Sequence, residues 1–200
     1  LVEGSITTKE DAHRVLAVRQ QAKVLITIGA CATAGGIQAL RNWGDIEAFK
    51  QAVYPRPDYI HSLSTSTPIS EHVHVDFELW GCPIEKGQLL RVITDLVAGV
   101  QPRLPADSVC LECKRRGKVC VLVARDVPCL GPVTHTGCGA MCPAFDRGCY
   151  GCFGPREAAN APSLAAWFGR DGRSDADTAA LFAGFTAYAK PFRAVIDQLG

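Results

Sequence analysis

Eight of the chain's ten cysteines are crowded between Cys110 and Cys152, and no other feature restricts its possible folds as severely. Their spacing is Cys110-x2-Cys113-x6-Cys120-x8-Cys129, then x8 to Cys138-x3-Cys142-x6-Cys149-x2-Cys152. A disulfide scaffold of this density belongs to small secreted chains with little core of their own. Here the array follows a long stretch with ordinary strand and helix signals, in a chain that is 48% apolar. Crowded cysteines on such a core point to metals or clusters rather than staples. The eight divide naturally into two sets of four. Iron–sulfur cubanes take four thiolates each, and two four-cysteine zinc sites would use the same C-x-x-C pairs. Spacing alone leaves both chemistries open, favouring clusters, with disulfides the weakest alternative. Glycines at 131, 137, 139, 148 and 151 leave room for backbone N–H groups to approach inorganic sulfur, and such hydrogen bonds tune reduction potential.

The first half alternates helix and strand signals. Thr8 is placed to cap a helix with Ala12, Val15, Leu16 and Val18 on its apolar face. Residues 22–29 form a β-branched apolar run, the pattern of a strand buried in a parallel sheet. Cys31 then falls in a turn, and a helix is expected over 34–40. A second strand is expected over 73–80, ending at Gly81-Cys82-Pro83, with a helix over 85–97 carrying Leu89, Leu90, Ile93 and Leu96 on one face. Residues 54–70 read as a long loop around one short strand. Alternating strands and helices predict an α/β fold with a doubly wound parallel sheet. Cys31 and Cys82 then occupy equivalent places after two strands, at the edge where ligands gather in such sheets, and are able to share one cofactor. An α/β edge holding cysteines is not a feature of zinc ribbons, so this pair favours clusters.

Pro102 and Pro105 mark a linker, dividing the chain into an α/β domain over 1–101, a cysteine-rich domain over 102–157 and a helical tail over 158–200. The cysteine-rich segment has few means of ordering itself beyond its metal ligands. In the tail, helices are expected over 178–190 and 192–199. The net charge of +1 lacks the basic excess of a nucleic-acid-binding surface, and Lys114-Arg115-Arg116 reads as a solvated turn. No apolar run approaches the roughly 18 residues needed to cross a bilayer, and no signal peptide is visible.

Five segments in order carry a resemblance: Val2-Glu3-Gly4-Ser5, Gly29-Ala30-Cys31-Ala32-Thr33-Ala34-Gly35-Gly36, Gly81-Cys82-Pro83, Cys129-Leu130-Gly131-Pro132-Val133-Thr134, and Arg147-Gly148-Cys149-Tyr150-Gly151-Cys152. Together they resemble the small, electron-transfer subunit of nickel–iron hydrogenases. The all-cysteine array and short chain look most like the cytosolic types, the sulfhydrogenase delta subunits and their NAD(P)-linked relatives. The resemblance implies a flavodoxin-like domain with a proximal 4Fe-4S cluster, then a domain with medial and distal clusters. Cys31 and Cys82 match two proximal ligands, and the family's other two come from a C-x-x-C motif upstream of the first residues here. Three clusters are expected with those ligands and two without. Cys110, Cys113, Cys120 and Cys129 match the distal set, with Cys110 where many relatives have histidine. Cys138, Cys142, Cys149 and Cys152 match the medial set, Cys142 standing near a position that is proline in relatives with a 3Fe cluster. Cys142-Pro143 also permits a ferredoxin-style exchange of one ligand between the sets.

The role implied is oxidoreductase by association. Electrons from hydrogen pass between a nickel-bearing large subunit and a flavin and iron–sulfur module that reacts with NAD(P). The nickel site lies on the partner, the location is cytoplasmic, and neither nucleic acid nor a membrane span is involved. Glu3 matches an acid near the proximal region, although a surface or capping role is the plainer reading. His72 and His74 alternate on a strand without a third ligand and read as hydrogen-bonded residues. His135 reads as a loop histidine, and Trp43 and Trp80 as packing residues. Two rivals stand beside this reading: a zinc-binding adaptor, and a quinone-reductase subunit of the complex-I type. The latter is expected to carry adjacent cysteines and a single cluster.

Overall fold

The structure, a computed structural model, describes residues 1–170 and 172–200. The first helix, α1 (Lys9–Gln21), begins where Thr8 accepts a hydrogen bond from the Asp11 N–H at 3.1 Å. Its buried residue is Val15; Leu16, expected beside it, is exposed because the next helical position lies about 100° further round. Strands β1 (Ile26–Ile28) and β2 (Phe77–Leu79) pair in parallel, Ile26 opposite Phe77 and Ile28 opposite Leu79. Val2 makes a parallel bridge to Thr27, adding a third segment to the sheet. The α/β class and the parallel pairing are thus present, in a small sheet.

Both strands are shorter than the expected spans because a side chain replaces the ladder at their start. The Asp76 carboxylate accepts the Leu25 N–H at 2.7 Å and the Arg19 guanidinium at 2.5 Å. At the other end, Gly29 (φ +84°) turns β1 directly into α2 (Gly29–Ala34), so Cys31 sits in a helix rather than a turn. Gly35 and Gly36 are both left-handed and stop that helix. A 3-10 helix, Ile37–Trp43, therefore occupies the place of the expected helix over 34–40. The next elements are α3 (Ile46–Val53), capped by Asp45, and a loop with two 3-10 turns. The short strand expected in that loop is reduced to one antiparallel bridge between Ile6 and Thr67. Helix α4 (Lys86–Val97) presents Leu89, Val92 and Leu96 to Ile26 and Leu79, whereas Leu90 and Ile93 lie on the adjacent row and face outward.

Beyond residue 100 come α5 (Val109–Arg115), α6 (Val121–Arg125) and α7 (Met141–Ala144). The chain ends in α8 (Ala161–Arg170), α9 (Asp175–Phe182) and α10 (Lys190–Leu199). The helix expected over 178–190 is interrupted after Phe182, and α8 was not anticipated. The largest apolar cluster joins Phe168, Phe182, Phe192 and Val195 to Leu130 and Val133. The cysteine-rich segment therefore has an apolar anchor of its own, contrary to the expectation that its ligands alone would order it. Among the described residues no helix is long and apolar enough to cross a membrane.

The Leu25 N–H, then Arg19, hold the Asp76 carboxyl below its ordinary value of 3.8. A depressed folded-state value means its stabilisation is present above the unfolded value and lost as pH falls through the folded one. Asp76→Asn is expected to lower Tm by a constant amount at pH 5–7, with the gap to wild type closing as the pH drops below about 3.8. Thermal melts of both proteins across that range check this.

Candidate functional site

The parallel pair ends in two loops that meet. The Ala30 N–H donates to the Gly81 carbonyl at 2.9 Å, so the turn after β1 is fastened to the turn after β2. Cys31 and Cys82 thereby border one cavity of about 540 Å³, with Glu3, Gly4, Gly29 and Gly81 around it. Glycine is required beside the first thiol: a Cβ on Gly36 would stand 2.6 Å from the Cys31 sulfur, and its φ is +68°. Gln38, which sequence reasoning missed, lays its amide 3.7 Å from that sulfur. Partial burial and then the Cys31 charge push the Cys82 thiol up.

A second group forms further along. Helix α5 supplies Cys110 and Cys113, one turn apart, Cys120 directly precedes α6, and Cys129 enters from a loop. These four are mutual neighbours. Burial first, then the charge of Cys129, with Cys120 and Cys113 following, raises the Cys110 thiol. Gly131 lies against this group, where a Cβ would meet the Cys129 sulfur at 3.2 Å and the Cys110 sulfur at 3.6 Å. Cys120 is exposed while Cys129 is buried, so the group reaches from the interior to the surface.

Between these lies a third group. Cys138, Cys142, Cys149 and Cys152 all line a cavity of about 330 Å³ whose other walls include Val109, Pro143, Phe153 and Phe185. Cys82 lines this cavity as well, and so faces both it and the strand-end cavity. The Cys138 loop turns through Gly137 (φ +138°), Gly139 (φ +67°) and Ala140 (φ +51°) into α7, which carries Cys142. Burial, then Cys138, Cys142 and Cys82, pushes the Cys152 thiol up to about 11. Burial drives the Cys149 thiol up further still. The second and third groups touch through a hydrogen bond in which the Cys149 N–H donates to the Cys129 sulfur at 3.2 Å.

All ten cysteines are free thiols. A tetrahedral zinc site needs four sulfurs about 3.8 Å apart, as follows from Zn–S bonds of about 2.3 Å. Among the described residues no three histidine, cysteine or acidic side chains converge to hold a single ion. The pattern of thiols bordering a cavity, with glycine faces against the sulfurs, fits a polynuclear group.

The histidines and tryptophans singled out in the sequence are not brought to these groups, whereas Glu3 is. His72 bonds Thr67 at 2.7 Å, while His74 is exposed and lies 3.7 Å from Asp76. His135 bonds the Thr136 carbonyl at 2.7 Å. Trp43 donates to Asp197 on α10 at 2.7 Å, and Trp80 packs flat on Gly154. Glu3 stands at the strand-end cavity as an exposed residue. Glu112, overlooked in the sequence, reaches the Cys138 loop from α5.

A parallel α/β edge bearing two cysteines, joined to eight more around two further thiol groups, has the cysteine pattern of an electron-transfer redox subunit. The profile of the family described as NADH ubiquinone oxidoreductase, 20 Kd subunit, matches residues 1–96. Sulfhydrogenase 2 subunit delta of Pyrococcus furiosus is 38% identical over 167 residues, covering 82% of this chain and 68% of that one. A subunit of the F420-non-reducing hydrogenase of Methanothermobacter marburgensis is 31% identical over 189 residues, covering 78% of this chain and 61% of that one. The crystal structure of an NAD+-reducing nickel–iron hydrogenase in the H2-reduced state contains a chain 30% identical, with TM-score 0.48, covering 52% of this chain and 66% of that one. This chain thus spans between three-fifths and seven-tenths of the length of these proteins. It belongs to the hydrogenase small-subunit family that includes the sulfhydrogenase delta subunit and its F420-non-reducing hydrogenase counterpart, and so to the components of oxidoreductase complexes.

The loop carrying Cys149 and Cys152 is tied to the C-terminal helices by buried Thr186, whose hydroxyl donates to the Gly151 carbonyl at 2.7 Å. Thr186→Val keeps the shape and removes that hydrogen bond while the carbonyl keeps the Gly154 N–H at 2.8 Å, at an expected cost of about 0.5–1.5 kcal/mol. Denaturant unfolding of the two proteins measures the difference.

Proposed function

We propose that this chain is the electron-transfer small subunit of a nickel–iron hydrogenase, relaying electrons between the nickel-bearing large subunit and a flavin and iron–sulfur module that reacts with NAD(P). Cys138, Cys142, Cys149 and Cys152 hold a medial 4Fe-4S cluster. Cys110, Cys113, Cys120 and Cys129 hold a distal one, and Cys31 and Cys82 contribute to a proximal one at a flavodoxin-like sheet edge. Bound clusters supply one-electron storage at low reorganisation cost; the chain's residues supply order, shielding and spacing. The observation that carries the reading is the unbroken succession of thiol groups. Cys82 borders both of the first two cavities, and the Cys149 N–H meets the Cys129 sulfur.

Within this reading the residues divide the work. Phe153, Phe185 and Val109 keep water from the medial thiols. The Gly151 N–H lies 3.5 Å from the Cys149 sulfur, and the Cys149 N–H bonds the next group, so backbone dipoles stabilise negative charge on both. Exposed Cys120 marks the outer end, and Arg116 and Lys118 bring positive charge to Cys113 of the same group. None of the ion pairs among the described residues engages either of those two. The acceptor module therefore meets this chain through an acidic face. A cytoplasmic setting accords with ten unpaired thiols. The domain limits follow the same division: 1–101 for the sheet, 102–157 for the two complete thiol sets, 158–200 for the helices that brace them.

A complex-I-type quinone-reductase subunit is the second reading, favoured by the family match over residues 1–96. The eight cysteines beyond that span separate the two, since that type is expected to hold one cluster only.

Iron and acid-labile sulfide in the purified complex test the proposal. About eight of each per chain are expected from the two complete sets, and about twelve with the proximal one. Zinc without sulfide would sink the reading, and about four irons would favour the second. For the outer end, raising ionic strength from ~0.05 to ~0.5 M is expected to slow electron delivery to an acidic protein acceptor several-fold. Hydrogen-dependent reduction of methyl viologen should change little in the same series.

A further inference from the structure

Glu112 sits between Cys110 and Cys113 in sequence, yet its carboxylate serves the neighbouring thiol group. One oxygen accepts the Gly137 N–H at 2.9 Å, and the other accepts the Ala140 N–H at 3.1 Å. That second oxygen also lies 3.9 Å from the Cys138 sulfur. One helical turn on, Arg116 donates to the Gly139 carbonyl at 2.5 Å. Three peptide groups flanking Cys138 are therefore gripped by a single helix. The loop needs this, because Gly137, Gly139 and Ala140 all have positive φ. A backbone of that shape makes no ladder with a neighbouring strand, so its N–H groups require side-chain partners.

The contact is also electrostatic. A carboxylate beside a ligand sulfur disfavours any further negative charge placed there, and the interaction is strong in a partly buried site. None of the other thiols lining this cavity has a carboxylate among its hydrogen-bond partners in the described residues.

We propose that Glu112 is a positioning residue for the medial group: it holds Cys138 in place through Gly137 and Ala140, and its charge makes that group harder to reduce. The inference rests on the assignment of Cys138, Cys142, Cys149 and Cys152 as cluster ligands. It gives the short helix α5 two tasks, carrying two thiols of the outer group and setting the energy of an electron on the inner one. An electron is thereby discouraged from settling midway along the relay.

The test uses the intact purified complex carrying Glu112→Gln or Glu112→Ala, with iron and sulfide counts and a redox titration followed by electron paramagnetic resonance. Gln keeps the size and one acceptor oxygen but removes the charge. E112Q is expected to retain its iron and to move the midpoint of one cluster to more positive potential, leaving the other signals where they were. E112A, which removes the carboxylate acceptor of two N–H groups, is expected to lose about four irons per chain, one cluster's worth. Full iron in E112Q with every midpoint unchanged overturns the proposal, as does full iron in E112A. A wild-type complex without iron and sulfide would instead overturn the cluster reading itself, whatever the variants do.

Discussion

Thiols packed side by side resist both ionisation and burial, and this chain places eight of them around three short helices, α5 to α7, and the loops beside them. Every cysteine whose thiol is perturbed is perturbed upward, with burial as the leading cause. Under the proposed function, a bound cation of high charge would draw such thiols together as thiolates. The rest of the molecule answers that constraint. Glycine faces stand against the sulfurs, left-handed turns free N–H groups to point at them, and apolar walls keep water out.

Such loops have little regular hydrogen bonding to hold them, and the stiffness comes from elsewhere. Leu130 and Val133 are inserted into the core of α8–α10, and Thr186 pins the Gly151 carbonyl from the same side. From the sheet side, Cys82 arrives on a turn fastened to the Gly29–Cys31 turn by the Ala30 hydrogen bond. The thiol groups are therefore clamped between a small parallel sheet and a helical cluster. That placement suits electron transfer, which tolerates no large movement between centres yet needs no substrate channel.

Much of this was readable in the chain. Thr8 caps α1, the two strands were located at the right places, and their parallel relation followed from the helices between them. The errors have local causes. Consecutive left-handed glycines at 35 and 36 broke the expected helix over 34–40, because a glycine pair permits a backbone that ordinary residues avoid. The expected apolar faces of α1 and α4 were each off by one row, Leu16, Leu90 and Ile93 being exposed. Periodicity identifies a stripe, but the partner surface chooses which edge of it is covered.

The amino-acid sequence by itself determined the number of thiols, their grouping in short loops, the caps and the strand ends, because each depends on residues only a few positions apart. Tertiary structure alone decided that Cys82 faces two cavities, that the Cys149 N–H reaches the Cys129 sulfur, and that Glu112 serves Cys138 rather than its own neighbours. Those contacts join positions 20 or more residues apart in the chain. Which of them form is settled by how the sheet, the loops and the C-terminal helices pack, and no local pattern of residues encodes that outcome.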